Sequence, residues 1–352
     1  MPNFDAESLE VLSREVFQAV GFPQDEAAII ADVMVRANLA GHDSHGVIHI
    51  PGYVSRVRNG QIKPGAPVEI EHETSTTAIL NGNFTLGHVA ATKAMRLAID
   101  KARQHAMAGV GVHNLNHVGR VGTYPLMAVE AGMGAIVTAA SGGASKIVAP
   151  FWGAQPRLST NPIAIGFPNP AGAPFLLDMA TSVSAAGKVR VAMNRGEPTK
   201  EGWLLNKDGL PTREPNDFYA GGMLLPLGGD QGHKGYAMAA MVEVLSGILT
   251  RAGTAANDRP DLNNGTFMIV IDINAFVPLE QFHQEISELA DYLHDTQPAP
   301  DHDEVWVPGE FEARNEAQRR RDGVPVEDET WRQITQTARE LGVDAHLPQA
   351  RL

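Results

Sequence analysis

The sequence predicts a fold of the α+β or α/β class, with a β-sheet in the middle of the chain and helices at both ends. Apolar side chains recur at helical spacing near both termini, while the middle alternates strand-like and helical runs. The run 266–273 is almost entirely apolar, which is typical of a strand inside a sheet. A chain of 352 residues is long for one hydrophobic core, so we expect two lobes.

The N-terminal part predicts two helices and a linker. Residues 6–20 carry apolar side chains on one helical face, and Gly21 and Pro23 end that helix. A second helix is expected over residues 25–40. Residues 56–67 contain Asn-Gly and Pro-Gly pairs, which indicate a turn-rich linker.

The middle of the chain predicts a sheet interleaved with helices. We expect strands at 68–71, 77–80, 108–113, 135–140, 163–167, 174–178 and 266–273, and helices at 87–106, 121–132, 182–194 and 235–251. The sequence Asn206-Lys207-Asp208-Gly209 predicts the tight turn of a hairpin.

Three helices, at 279–294, 313–321 and 328–341, are expected to close the chain. We interpret the charged run from Arg314 to Asp322 as a solvated helix face without a further role. Residues 1–70 and 300–352 would then form a helical, substrate-binding domain, and residues 71–299 a sheet domain that binds the cofactor.

The composition limits the partners. The net charge of −13 argues against nucleic acid and anionic membranes as partners. The chain has no cysteine, which removes disulfides, thiolate metal sites and cysteine nucleophiles. Its first residues lack the basic and apolar regions of a signal peptide, and its longest apolar run is too short to span a bilayer. We therefore expect a cytoplasmic protein.

Two histidine motifs indicate proton-transfer chemistry. Asp43-Ser44-His45-Gly46 follows the second predicted helix and precedes Tyr53, and Asn116-His117-Val118-Gly119 lies later in the chain. Imidazole has an ordinary pKa of about 6.5, so it exchanges protons near neutrality. His42, His45 and His49 also have a spacing that could bind zinc on a helix, but the surrounding Gly and Pro residues break that helix, and we expect no metal site.

No Gly-x-Gly-x-x-Gly fingerprint of a Rossmann fold is present. The glycine-rich run 228–235, which contains Lys234 and precedes a helix, either holds a phosphate or is only a flexible entry loop. Pro308-Gly309-Glu310 has the same two interpretations.

Five blocks in this order resemble the malate/L-lactate dehydrogenase family, which lacks a Rossmann fold and has ureidoglycolate dehydrogenase, sulfolactate dehydrogenase and piperideine-carboxylate reductase among its members. The blocks are Asp43-Ser44-His45-Gly46 with Tyr53, Asn116-His117 with Gly119, Thr160-Asn161-Pro162 with Ala164, Asp178 to Ser182 with Gly187-Lys188, and Lys234-Gly235-Tyr236. The resemblance covers nearly the whole chain. It implies a three-layer cofactor domain on a largely antiparallel mixed sheet, NAD or NADP as cofactor, and a homodimer whose partner helps to form each site.

The resemblance also implies roles for individual residues. His45 would donate a proton to a 2-oxo acid and accept it in the reverse direction, with Ser44 orienting its ring. His117 would contact the cofactor or be the acid itself, and Lys188 would lie near the nicotinamide or the substrate oxygen. The substrate would contact His49, Tyr53, Thr160 and Asn161. The cofactor would contact His117, Gly119, Arg120, Asp178, Met179, Ala180, Lys234, Gly235, Pro308, Gly309 and Glu310.

One position departs from the family pattern. Relatives commonly have arginine where this chain has His49, and a bidentate guanidinium would hold the substrate carboxylate there. Either the substrate differs, another cation such as Arg120 takes over, or activity on simple 2-oxo acids is poor. Reduction of a cyclic 2-imino acid, a catalytically impaired nucleotide-binding relative and a zinc hydrolase remain alternative functions, and NAD versus NADP stays open.

Overall fold

The computed structural model describes residues 1–257 and 263–351. Its helices are α1 (Ala6–Ala19), α2 (Gln24–Leu39), α3 (Ile50–Arg58), α4 (Gly87–His105), α5 (Thr123–Glu130), α6 (Ala186–Arg195), α7 (Pro215–Tyr219), α8 (Gly232–Val242), α9 (Leu279–His294), α10 (Glu310–Asp322) and α11 (Asp328–Glu340). Its strands are β1 (Asn3–Phe4), β2 (Glu69–Glu73), β3 (Thr77–Asn81), β4 (Met107–Leu115), β5 (Gly134–Ala140), β6 (Ile163–Phe167), β7 (Phe175–Met179), β8 (Leu204–Leu205), β9 (Pro211–Thr212), β10 (Met223–Leu224), β11 (Asn264–Ile271) and β12 (Val324–Pro325).

The main sheet has seven strands in the order β2-β3-β4-β11-β5-β6-β7. Only the β3–β4 pair is parallel, and the other five neighbouring pairs are antiparallel. Strand β11 lies in the centre, between β4 and β5, as its apolar sequence predicted. The expectation of a mixed, largely antiparallel sheet is therefore confirmed.

The two chain ends fold together into a helical lobe. Strand β1 pairs antiparallel with β12, which brings Phe4 opposite Val324. Apolar side chains of α1 and α2 share one buried cluster with Ile334 of α11. The helical lobe made from both termini is thus confirmed. The boundaries at 70 and 300 stay a prediction, because Leu86 and Val89 at the start of α4 belong to the same cluster.

The predicted hairpin also forms. Strands β8 and β9 pair antiparallel around the turn, and the Gly209 amide donates to the Asn206 carbonyl oxygen at 3.0 Å. Gly209 has φ +79°, a value that favours glycine.

Several predicted boundaries are wrong. Residues 56–58, predicted as the start of a linker, are the last turn of helix α3. No helix was expected there, but Pro51 lies in its first turn, where proline needs no hydrogen-bond donor. The helix expected at 182–194 begins at Ala186, since Val183 makes an extended-backbone bond to Leu225. The helix expected at 235–251 begins at Gly232 and continues after Val242 as a π-helix over Glu243–Ile248.

Within the described ranges, no helix combines the length and apolar character required to cross a bilayer.

Candidate active site

The loop that carries Ser44 and His45 is held in place by Asn38 at the end of α2. The Asn38 amide donates to the Asp43 carboxylate at 2.7 Å, and its oxygen accepts from the Val47 amide at 2.9 Å. A Cβ atom on Gly46 would lie 2.0 Å from that same oxygen. Gly46 is therefore required by close packing, and the loop has little freedom to move.

Arg319 of α10 clamps the loop from the other side. Its guanidinium donates to both Asp43 carboxylate oxygens, at 2.6 and 2.9 Å, and to the Asn38 carbonyl oxygen at 2.5 Å. The interpretation of the run from Arg314 to Asp322 as only a solvated face is therefore wrong. The sequence pattern could not indicate this contact, because no stripe of buried side chains along α10 marks a face that turns toward the protein.

The two histidine motifs meet, although 72 positions separate His45 from His117 in the chain. Their ring centroids lie 5.8 Å apart in a stacked arrangement. The Tyr53 hydroxyl lies 2.5 Å from Nδ1 of His117, and the Ser44 hydroxyl 3.0 Å from Nδ1 of His45. His49 stacks on Tyr53 at 5.1 Å. Five of the predicted site residues, Ser44, His45, His49, Tyr53 and His117, thus form one cluster, which we call the imidazole cluster.

Burial sets the protonation of the imidazole cluster. Desolvation, assisted by the nearby charges of His49, His42 and Arg120, lowers the pKa of His45 to about 3. Desolvation also lowers the pKa of His117 well below its ordinary value, and it raises the pKa of Tyr53. At neutral pH the two imidazoles are therefore uncharged proton acceptors and the phenol keeps its proton.

His88 joins the imidazole cluster although no sequence motif indicated it. Its fully buried ring packs edge-on against Tyr53 at 5.6 Å. Neither ring nitrogen has a hydrogen-bond partner among the described residues, and burial lowers its pKa to about 3. A Cβ atom on Gly119, which has φ +70°, would lie 2.5 Å from His88 Nε2. His88 lies on the buried face of helix α4, so in the sequence it looks like an ordinary core residue.

A buried ion pair lies beside the imidazole cluster. Arg120 donates through Nε to the Asp178 carboxylate at 2.9 Å, and both side chains are almost fully buried. The Arg120 Nη2 atom has no hydrogen-bond partner in the described part of the chain, although Glu312 lies 4.0 Å away. A Cβ atom on Gly122 would lie 2.4 Å from the Asp178 carboxylate, so glycine is needed there.

The ion pair opens onto a cleft between α2, α5, β7 and α10. Arg120, Leu176, Gly309 and Glu312 are among its lining residues. The Pro308 carbonyl accepts from the Leu176 amide at 3.2 Å, which fixes the Pro308-Gly309-Glu310 loop against β7. The Glu310 carboxylate accepts from the Val307 amide and contacts His294, so protein groups already occupy it.

Other predicted residues lie outside the imidazole cluster. Lys188 and Lys234 are exposed, whereas Gly235 is buried against the Leu227 backbone. The Asn161 amide donates to Ala239 and Glu243, and the Thr160 carbonyl accepts from Thr181. These donors and acceptors are used within the protein. Met179 ends β7 and Ala180 follows it, next to Asp178.

Within the described residues, no group of three or more His, Cys, Asp or Glu side chains is placed to hold a metal ion.

Comparisons with known proteins place these features in one family. A family model described as malate/L-lactate dehydrogenase matches residues 4–335. The malate dehydrogenase of Pyrococcus abyssi is 38% identical over 93% of this chain and 92% of its own length. The L-sulfolactate dehydrogenase of Methanothermobacter thermautotrophicus is 38% identical over 95% of this chain and 96% of its own length.

Solved structures agree with the sequence comparisons. The malate dehydrogenase of Entamoeba histolytica superimposes with a TM-score of 0.92 at 30% identity, covering 97% of this chain and 98% of its own. The delta1-piperideine-2-carboxylate reductase of Pseudomonas syringae superimposes with a TM-score of 0.82 at 27% identity, covering 96% of this chain and 100% of its own. The similarity therefore extends over both lobes.

Proposed function

Because the chain belongs to the malate/L-lactate dehydrogenase family, we propose that it is an NAD(P)-dependent oxidoreductase that interconverts a small 2-hydroxy acid and its 2-oxo acid. The observation that carries the proposal is the stacked contact between the partly buried imidazoles of the two histidine motifs. Such a site offers a proton acceptor that a substrate can reach.

His45 is the proposed proton carrier. When Nδ1 of His45 donates to the Ser44 hydroxyl, Nε2 keeps a free lone pair and can take the hydroxyl proton of a 2-hydroxy acid. In the reverse direction Nε2 returns that proton to the carbonyl oxygen. Ser44 accepts from Nδ1 in both protonation states, so it holds the ring in one orientation throughout.

Tyr53 and His117 would support this step. Tyr53 keeps its proton because burial raises its pKa, so its hydroxyl donates to Nδ1 of His117. Neutral His117 then carries its own proton on Nε2 and acts as a hydrogen-bond donor within the site.

The residues along the cleft fit an anionic dinucleotide. The unpartnered Nη2 atom of buried Arg120 is a donor without an acceptor, and an anionic group could supply that acceptor. When bound, the nicotinamide would supply or accept the hydride. We propose as its contacts Gly119, Arg120, Asp178, Met179, Ala180, Pro308 and Gly309. Four further candidates are retained: Lys188 and Lys234, whose side chains are exposed, Gly235, which has no side chain, and Glu310, whose carboxylate is already bonded within the protein.

An absorbance assay tests the proposed function. Purified protein is mixed with NADH or NADPH and with pyruvate, oxaloacetate or a cyclic 2-imino acid, and loss of the reduced-nicotinamide band is followed. Oxidation by a 2-oxo acid supports the proposal, and the better cofactor answers the NAD versus NADP question. Cofactor binding without oxidation would favour the catalytically impaired alternative.

Reduction of a cyclic 2-imino acid is the second candidate. The structural likeness to a piperideine-2-carboxylate reductase favours it, and an imine carbon needs the same hydride with a proton at nitrogen. Turnover of the imine together with failure of both 2-oxo acids would select this alternative.

We also propose a homodimer and a cytoplasmic location. Apolar side chains are exposed along α8 and the following π-helix, including Met241 at 58% and Ile248 at 61%. A surface of this kind on a helix is typical of an interface. The absence of cysteine fits a reducing compartment.

A further inference from the structure

The imidazole cluster lacks a group that could hold an anion, and this inference rests on the proposed function. A 2-oxo acid carries a carboxylate next to the carbonyl that is reduced. The family pattern described above implies an arginine for that carboxylate at the position of His49. Its Nε2 atom lies 2.7 Å from the Ser44 carbonyl oxygen, which can only accept, so the proton is on Nε2. Burial lowers the pKa of His49, and the neutral ring therefore presents a lone pair that repels a carboxylate.

Arg120 does not fill this role. Its Nε donates to Asp178 at 2.9 Å, and Glu312 lies 4.0 Å from its Nη2 atom. Its Nε is therefore committed to Asp178, and its unpartnered Nη2 atom is the donor already proposed for the dinucleotide. The substrate anion therefore needs a different cation.

Helix α3 brings the first candidate. His49 precedes α3, and Tyr53 and Arg56 follow at intervals of four and three residues, so the three lie along one helix face. Tyr53 stacks on His49 with ring centroids 5.1 Å apart. Among the described residues, the partly exposed Arg56 guanidinium has no ion pair, whereas its neighbour Arg58 pairs with Glu340 at 2.9 Å. The positive charge of Arg56 also contributes to lowering the pKa of His49.

Helix α6 brings the second candidate. A Cβ atom on Gly187 would lie 3.2 Å from the Cβ of Ser44, so the first turn of α6 packs directly on the loop that carries His45. Arg190 follows Gly187 by three residues and therefore lies on the same side of the helix. It is exposed, has no ion pair among the described residues, and its charge likewise lowers the pKa of His49.

We propose that Arg56 of α3 and Arg190 of α6, whose charges both act on His49, bind the substrate's carboxylate in place of the missing arginine at position 49. Two unpaired guanidiniums next to a neutral ring form a site for a small organic anion. A substrate bound by both arginines then links α6 to the helical lobe, to which α3 belongs. Because both arginines are positively charged, they favour an acid anion over its uncharged ester.

A substrate-charge comparison tests the proposal. We measure kcat/KM for pyruvate and for methyl pyruvate in the wild type, Arg56→Ala, Arg190→Ala and the double variant. Charged hydrogen bonds of this kind predict that the double variant lowers kcat/KM for pyruvate about ten- to hundredfold while the neutral ester is little affected. Arg58→Ala and Arg195→Ala are the matched controls, because they remove the same charge from the same two helices away from His49.

Calorimetry of oxalate binding to the NADH-saturated protein tests the proposal even if pyruvate is not reduced. Weaker oxalate binding in the double variant, with unchanged NADH affinity, supports it. Wild-type oxalate affinity and an unchanged preference for pyruvate in the double variant would overturn it. A wild type that binds oxalate through these arginines but oxidises no NADH would instead contradict the proposed function.

Discussion

At the scale of single residues, burial decides which site histidines are charged. His88 shows this most clearly, because its ring is fully buried and its nitrogens have no partner within the described residues. Its pKa is lowered to about 3 in the folded protein, whereas the unfolded chain has the ordinary value of about 6.5. Between these values the unfolded state binds more protons, so the free energy of unfolding falls as the pH falls.

This difference in the pKa of His88 predicts that acid destabilises the protein and that replacing His88 makes the destabilisation smaller. His88→Phe keeps an aromatic ring against Tyr53 and removes the titrating group. Between pH 7 and pH 5, the unfolding free energy of the wild type should therefore fall by about 2 kcal/mol more than that of His88→Phe. Urea unfolding at both pH values measures it, and comparing the two pH values cancels any constant packing effect. An unchanged loss in His88→Phe would show that this imidazole is not held neutral.

At the scale of elements, the contact between α10 and the loop after α2 holds the motif that we propose to be catalytic. Arg319 binds both oxygens of Asp43, and its removal leaves that carboxylate and the Asn38 carbonyl without their partner. Arg319→Ala should lower the unfolding free energy by about 1–3 kcal/mol and reduce kcat/KM, because Ser44 and His45 lose their support. Unfolding curves and steady-state kinetics measure both effects.

Arg320→Ala is the matched control for this prediction. Arg320 is the next residue of α10, and its ion pair among the described residues is with Glu316, one turn earlier on the helix. It should change the unfolding free energy by no more than about 0.5 kcal/mol. Equal effects of the two substitutions would contradict the clamp.

The elements also show what the sequence can predict. Helix and strand patterns located most of the sheet and its central strand β11, because apolar periodicity follows burial directly. They missed α3, since Pro51 resembles a helix breaker until its place in the first turn is known. Motif spacing led to the prediction of His45 and His117 as site residues, which the structure brings into contact. It could not indicate Arg319 or His88, because their contacts join elements distant in sequence.

At the scale of the whole molecule, the exposed apolar face of α8 and its π-helix predicts self-association. Ile248→Glu places a charge in the middle of that face and should convert a dimer into a monomer, as measured by light scattering. Leu210→Glu is the matched control, because Leu210 is equally exposed at 61% but lies in the hairpin. A wild type that is monomeric at micromolar concentration, or a dimer that survives Ile248→Glu, would contradict this interface.

We propose that His45 carries the proton while the cleft holds the cofactor, and the His45→Gln variant separates these two roles. We measure kcat with the active substrate and NADH affinity by fluorescence, with the exposed His72→Gln on β2 as control. We expect kcat to fall about 10²–10⁴-fold in His45→Gln at unchanged NADH affinity. A kcat within a few fold of the wild type would contradict it and assign the proton to another group, with His117 the first to examine.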